Sequence, residues 1–130
     1  MRIKCRRLVG GYAEGYSLVS PEPISFFGGV DPSTGLVIDR LNPIRGESIS
    51  GRILVFPGGK GSTVGSYILY RLAKHGLAPK AMICLEADPV VAVGAVLAGI
   101  PLLDKPEYYI FKTGMYLRVY GDEGLVEIVS

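Results

Sequence analysis

The chain has 130 residues, 48% apolar and 20% charged, a globular balance with room for one domain spanning residues 1–130. Fourteen Lys and Arg against twelve Asp and Glu leave a net charge of +2, too small to argue for nucleic acid on electrostatics. Two cysteines and one histidine cannot supply a four-ligand zinc site or a self-contained iron–sulfur cluster, so no metal site is expected in this chain.

Arg2, Lys4 and Arg6 alternate with Ile3 and Cys5, the period of a half-buried strand. No hydrophobic stretch follows them, so they do not read as a signal peptide. Residues 16–19 read as a second strand, paired with the first across the Gly10-Gly11 to Gly15 region. Pro21 and Pro23 punctuate, and residues 24–27 are a short strand candidate. A long turn over 28–35 carries Asp31-Pro32 and Thr34-Gly35, and 36–38 return as strand. Residues 52–56 are nearly all apolar, as in a central strand covered on both faces.

The second half alternates. Val64, Ile68 and Leu72 at i, i+4 and i+8 predict a helix, begun by Ser62 or Thr63 as N-cap and ended at His75-Gly76. Residues 81–85 are a second buried strand. Asp88 as N-cap, Pro89 at the first helical position and Gly99 as stop frame a second helix. Residues 101–103 resume extended structure, and 109–111, 115–119 and 125–129 read as antiparallel strands. The order predicts an α/β fold: a β-rich scaffold carrying a parallel β-α-β unit, closed by a β-hairpin. The least polar region, 89–103, is shorter than the ~20 residues that span a bilayer. Cys5 and Cys84 sit among apolar residues as reduced thiols would, and a cytoplasmic protein without membrane contact is expected.

Glycine is the compositional outlier, at 18 residues about twice the usual share of about 7%. Its densest use is Pro57-Gly58-Gly59-Lys60-Gly61-Ser62-Thr63, between a buried strand and a helix. N–H groups at a helix start point outward with partial positive charge, so the loop is an anion cradle by geometry. It is not a P-loop, because Gly61 separates Lys60 from Ser62, and its spacing misses the dinucleotide fingerprint. What remains is one hydroxyl, Ser62, and one ammonium, Lys60. Serine is a poor base unless its alkoxide is stabilised, and His75 lies about three turns away at the far end of the helix. Either Ser62 and Thr63 only cap a helix and the glycines only turn, or the site is catalytic and a partner completes it.

Four segments in order, 28–35, 51–62, 86–89 and 98–101, resemble the small-subunit branch of the aconitase X family of dehydratases, and the resemblance runs over residues 2–129. It implies a swivelling β/β/α domain, barrel-like in its β-rich part. It implies a separate large subunit holding an iron–sulfur cluster of the [4Fe–4S] type, with none bound by this chain. The implied reaction is dehydration of (R)-5-phosphomevalonate, a phosphorylated hydroxy acid, to trans-anhydromevalonate 5-phosphate in an archaeal mevalonate route. An iron in the partner would bind the leaving hydroxyl as a Lewis acid. The family's Gly-x-Gly-Ser serine, the proton acceptor, falls on Ser62, with Gly59, Lys60, Gly61 and Thr63 placed to bind substrate. The family often has Arg where Lys60 stands, which keeps the charge and loses a bidentate fork. It also has a His-Pro pair where this chain has Asn42-Pro43. A related hydro-lyase, such as a hydroxyproline dehydratase, and a non-catalytic anion-binding module are the alternatives.

Overall fold

A computed structural model describes residues 1–129. Eight strands follow the chain as β1 (Arg2–Lys4), β2 (Arg6–Val9), β3 (Tyr12–Val19), β4 (Ile53–Phe56), β5 (Ala81–Cys84), β6 (Leu102–Asp104), β7 (Tyr116–Tyr120) and β8 (Leu125–Ile128). They form one sheet in the order β1-β8-β7-β3-β4-β5-β6-β2. The neighbours β3 to β6 are parallel and the other pairs antiparallel. β1 and β2 lie at opposite ends of this order, yet only Cys5 separates them in the chain. The backbone therefore joins the two ends of the sheet and curls it into a barrel-like wall, as the family resemblance implies.

The central strands are buried on both faces, which is why they read as unbroken apolar runs. Ile53, Val55, Ala81, Ile83 and Leu103 turn inward and meet Ile3, Leu117, Val119 and Val126. Leu54, Phe56, Met82, Cys84 and Leu102 turn outward under two helices, α2 (Gly65–Lys74) and α3 (Pro89–Ala98). The boundaries of α3 are those the sequence signals. The Asp88 side chain caps it by accepting the Val90 N–H, Pro89 occupies the first turn, and Gly99 closes it in the left-handed conformation. The helices lie close because Gly94 has no side chain: a Cβ there would stand 2.5 Å from Leu69 Cδ1 and 3.2 Å from the Ser66 Cα. Ser66 Oγ donates across the same contact to the Val90 carbonyl at 2.8 Å. No helix among the described residues is long and apolar enough to cross a membrane.

Several expected strands differ. β3 is bonded to β7 and β4, which leaves it no free edge for the first strand, and β1 pairs with β8 instead. Of residues 24–27 only Ile24 finds a neighbour, in a single bridge to Gly59. The chain then bends into a kinked turn, α1 (Phe26–Gly29), that buries Phe26 edge-on against Phe56. Residues 36–38 make isolated bridges rather than a strand. Residues 109–111 join no ladder. Their alternation arises because Tyr109 and Phe111 pack against the inner core while Tyr108 and Ile110 stay exposed.

Asp104 is charged and fully buried at the end of β6. Arg6 Nε and Nη2 each donate to it at 2.8 Å, and the Ala87 N–H donates at 2.8 Å. Burial pushes its carboxyl pKa up, but the Arg6 bonds, the Ala87 N–H and the Arg6 and Lys105 charges outweigh that and hold it below the usual value. A lowered folded pKa stabilises the fold above the unfolded value of about 4, and that contribution is lost as pH falls through the folded pKa. Asp104→Asn is expected to lower stability at pH 7 by about 1.5–3 kcal/mol and to flatten the acid limb, read from urea midpoints at pH 7 and pH 3. Gly94→Val is expected to cost about 1–3 kcal/mol by forcing α2 and α3 apart, visible as a lower Tm.

Candidate functional site

The four parallel strands β3, β4, β5 and β6 all end on one side of the molecule, where open α/β sheets place their ligand sites. The glycine loop leaves β4 there. Its first half is tied down by backbone bonds: Ile24 N–H donates to the Gly58 carbonyl at 3.0 Å, Lys60 N–H to the Ile24 carbonyl at 3.1 Å, and Glu86 N–H to the Pro57 carbonyl at 3.2 Å. Gly59 N–H donates to Asp88 Oδ1 at 2.8 Å. A Cβ on Gly58 would lie 2.7 Å from the Glu86 carbonyl, and one on Gly59 2.7 Å from Asp88 Oδ1. Gly61 has φ +84° and its Cβ would lie 2.7 Å from Ser25 Oγ, so a side chain there is refused by both conformation and space.

The sequence predicts Ser62 or Thr63 as the cap of the following helix. Instead α2 begins at Gly65, with Val64 in the cap position and no side-chain cap. Ser62 belongs to a separate turn in front, where its Oγ accepts the Val64 N–H at 3.1 Å and its carbonyl accepts Gly65 N–H at 3.0 Å. The reason is steric: Gly61 in its left-handed conformation sets the chain direction before the regular helix can start. Ser62 and Thr63 are exposed. The N–H groups of Gly61, Ser62 and Thr63 have no bonding partner among the described residues. These three consecutive open amides and the exposed hydroxyl stand where the sequence predicts the anion cradle.

The remaining predicted residues divide. Gly59 is beside the cradle but its amide is already bonded to Asp88, so its part is to let the loop approach α3. Lys60 Nζ stands 3.7 Å from Asp39 Oδ2, an ion pair too long for a hydrogen bond and partly in solvent. Thr63 lines a groove of about 260 Å³ between the first turns of α2 and α3, with Tyr67, Val90 and Val93. His75 is at the other end of α2, its Nδ1 2.8 Å from the Arg71 carbonyl, and takes no part.

Neither thiol is suited to bind metal. Burial, then the Asp104 and Glu107 charges, push the Cys5 thiol up to about 12, and burial, with Asp88 and Asp104, pushes Cys84 up. Among the described residues no group of three His, Cys, Asp or Glu could hold a metal ion. The donors of this chain do not fit an iron–sulfur cluster.

Asp39, Ser25 and the second role of Asp88 escape a sequence reading. The Asp-Pro pair signals the cap of α3, but nothing local tells that the other carboxylate oxygen meets a glycine amide 29 positions away.

The pattern of the Aconitase X swivel domain family matches residues 2–128. The phosphomevalonate dehydratase small subunit of Thermococcus onnurineus is 56% identical over 128 residues, 98% of each chain. That of Methanothermobacter thermautotrophicus is 49% identical over 129 residues, 97% of this chain and 98% of its own. The crystal structure of Thermococcus kodakaraensis aconitase X in its holo-form superposes with a TM-score of 0.97 at 54% identity, covering 100% of this chain and 99% of that one. A UPF0107 protein solved by solution NMR superposes at 0.91 with 48% identity over the whole of both chains. Matched from end to end in sequence and in fold, the chain belongs to the aconitase X swivel domain family.

Proposed function

We propose that this chain is the small subunit of a two-subunit hydro-lyase that dehydrates (R)-5-phosphomevalonate to trans-anhydromevalonate 5-phosphate, with Ser62 as proton acceptor. The observation that carries the site assignment is the exposed Ser62 hydroxyl beside the open amides of Gly61, Ser62 and Thr63. Relatives over the full length named phosphomevalonate dehydratase small subunit support the substrate.

Dehydration removes a proton from one carbon and hydroxide from its neighbour, leaving a carbon–carbon double bond and water. Ser62 takes the proton. A hydroxyl does this only if its oxyanion is stabilised, and the positive ends of the cradle amides supply that field, joined by the Lys60 ammonium if it turns from Asp39 toward the bound substrate. The same groups hold an anionic substrate group, carboxylate or phosphate, next to Ser62. Gly59 shapes the cradle from behind. Among the described residues no group could hold a metal ion, so a large subunit carrying an iron–sulfur cluster would supply the Lewis acid for the departing hydroxyl. The small subunit acts as a single swivelling domain, and its two free thiols suit a reducing cytoplasm.

In the reconstituted two-subunit enzyme, Ser62→Ala is expected to lower kcat by about 10²–10⁴-fold with assembly intact, and turnover equal to wild type would remove Ser62 from the mechanism. Activity on hydroxyproline and none on phosphomevalonate would overturn the substrate. Lys60→Ala is expected to raise KM about tenfold, the order of one charge-assisted hydrogen bond, with partial recovery in Lys60→Arg. A KM unchanged in Lys60→Ala would leave anion binding to the amides alone.

A further inference from the structure

We infer that Asp88 is a positioning residue for Ser62, acting through Gly59. The kinetic consequence rests on the dehydratase reading above; the tie itself is a property of this chain. Asp88 Oδ1 accepts the Gly59 N–H at 2.8 Å, and Oδ2 accepts the Val90 N–H at 3.2 Å. One carboxylate thus joins the start of α3 to the start of the loop that carries Ser62. Among the described residues it is the only side chain from outside the loop that bonds the backbone of residues 57–63. The fit is close, with the Gly59 Cβ position 2.7 Å from Oδ1 and 2.8 Å from Val91 Cγ2.

Asp88 is itself fixed from behind. The Ala87 N–H before it donates to Asp104, which Arg6 grips with two bonds. A line of contacts therefore runs from β2 through β6 and the turn after β5 to the glycine loop. Beyond Gly59 the loop is bonded at Lys60 to the Ile24 carbonyl and passes close to Ser25 at Gly61, and Ser62 follows directly. Freeing Gly59 releases the first of these points, on a loop whose hydroxyl must stand within proton-transfer reach of a substrate carbon.

The chemistry requires a carboxylate. Both partners are N–H donors, so the joining group must accept on two oxygens. Asparagine offers one acceptor oxygen and turns an NH₂ donor toward the other N–H, and serine offers one short oxygen. Both are good N-caps, so with the single acceptor kept on the Val90 N–H at the cap both keep α3 and lose the tie to Gly59. Gly59→Ala breaks the same tie from the other side, by setting a methyl group 2.7 Å from Oδ1, 2.8 Å from Val91 Cγ2 and 3.1 Å from Oδ2, while the capping carboxylate itself is kept.

The kinetic test uses the reconstituted two-subunit enzyme with Asp88→Asn, Asp88→Ser and Gly59→Ala. Each is expected to assemble normally and to lose about 100-fold in kcat, the order associated with a displacement of about 1 Å, while KM stays within about threefold. Asp88→Ala is expected to match that kcat loss and also to melt lower, because the cap goes too. The second measurement is amide exchange by NMR on the full chain alone. In Asp88→Asn and Asp88→Ser the Gly59 amide is expected to exchange at least about tenfold faster while the Val90 amide stays protected. Wild-type kcat in the substituted enzymes, or a loss confined to KM, overturns the positioning role and leaves the dehydratase reading standing. Unchanged exchange at Gly59 overturns the tie. Should the wild-type pair fail to dehydrate phosphomevalonate, the functional reading falls, and the exchange data alone decide whether Asp88 holds the loop.

Discussion

Two backbone N–H groups, Gly59 and Val90, face the same carboxylate from different segments, and the arrangement of the site depends on Asp88 satisfying both. An unpaired amide against the helix layer is costly, so the loop and the first turn of α3 are drawn to one point. The three loop glycines follow from this. Gly58 and Gly59 are pressed against the turn after β5, and Gly61 against Ser25, so a side chain at any of the three meets an occupied position. The close approach of the segments also decides which amides remain open. Those of Gly59 and Lys60 are used internally, and those of Gly61, Ser62 and Thr63 have no partner among the described residues.

Closure of the sheet gives this loop a rigid base. Because β1 and β2 are continuous through Cys5, the two ends of the eight-strand order cannot drift apart. The charge pair between Arg6 and Asp104 lies on the β2–β6 pairing that completes the closure, and Asp104 also holds Ala87. Buried carboxylates are costly unless fully bonded, and this one accepts three hydrogen bonds. A local electrostatic requirement thereby links barrel closure to the geometry around Ser62.

The site is one-sided. It offers a hydroxyl, three amides and the Lys60 ammonium, itself paired with Asp39, and among the described residues no group that could hold a metal ion. Both cysteines are held as neutral thiols by burial and by neighbouring carboxylates. In the proposed enzyme the small subunit contributes proton removal and anion binding, and the large subunit contributes the other half of the reaction. The exposure of Ser62 is consistent with that division, since a hydroxyl sealed within this chain could not meet a second protein.

The second half of the chain was legible because its signals are local. Continuous apolar runs marked β4 and β5, and a cap with an adjacent proline and a left-handed glycine framed α3. The first half was less so. Residues 24–27, 36–38 and 109–111 have strand-like composition, but a strand exists only where a neighbour offers a free edge, and that is settled by the whole sheet order. The glycine loop, Ser62 and the four segments resembling the aconitase X family could be read from residue identities alone. The start of α2 after the Ser62 turn, the engagement of Lys60 with Asp39 and the double role of Asp88 could not. The cap of α3 and the hydrophobic period of the helices depend on neighbours a few positions apart, so sequence alone determined them. Which amide is bonded and which is open depends on groups brought together from distant positions, and only the tertiary structure decided that.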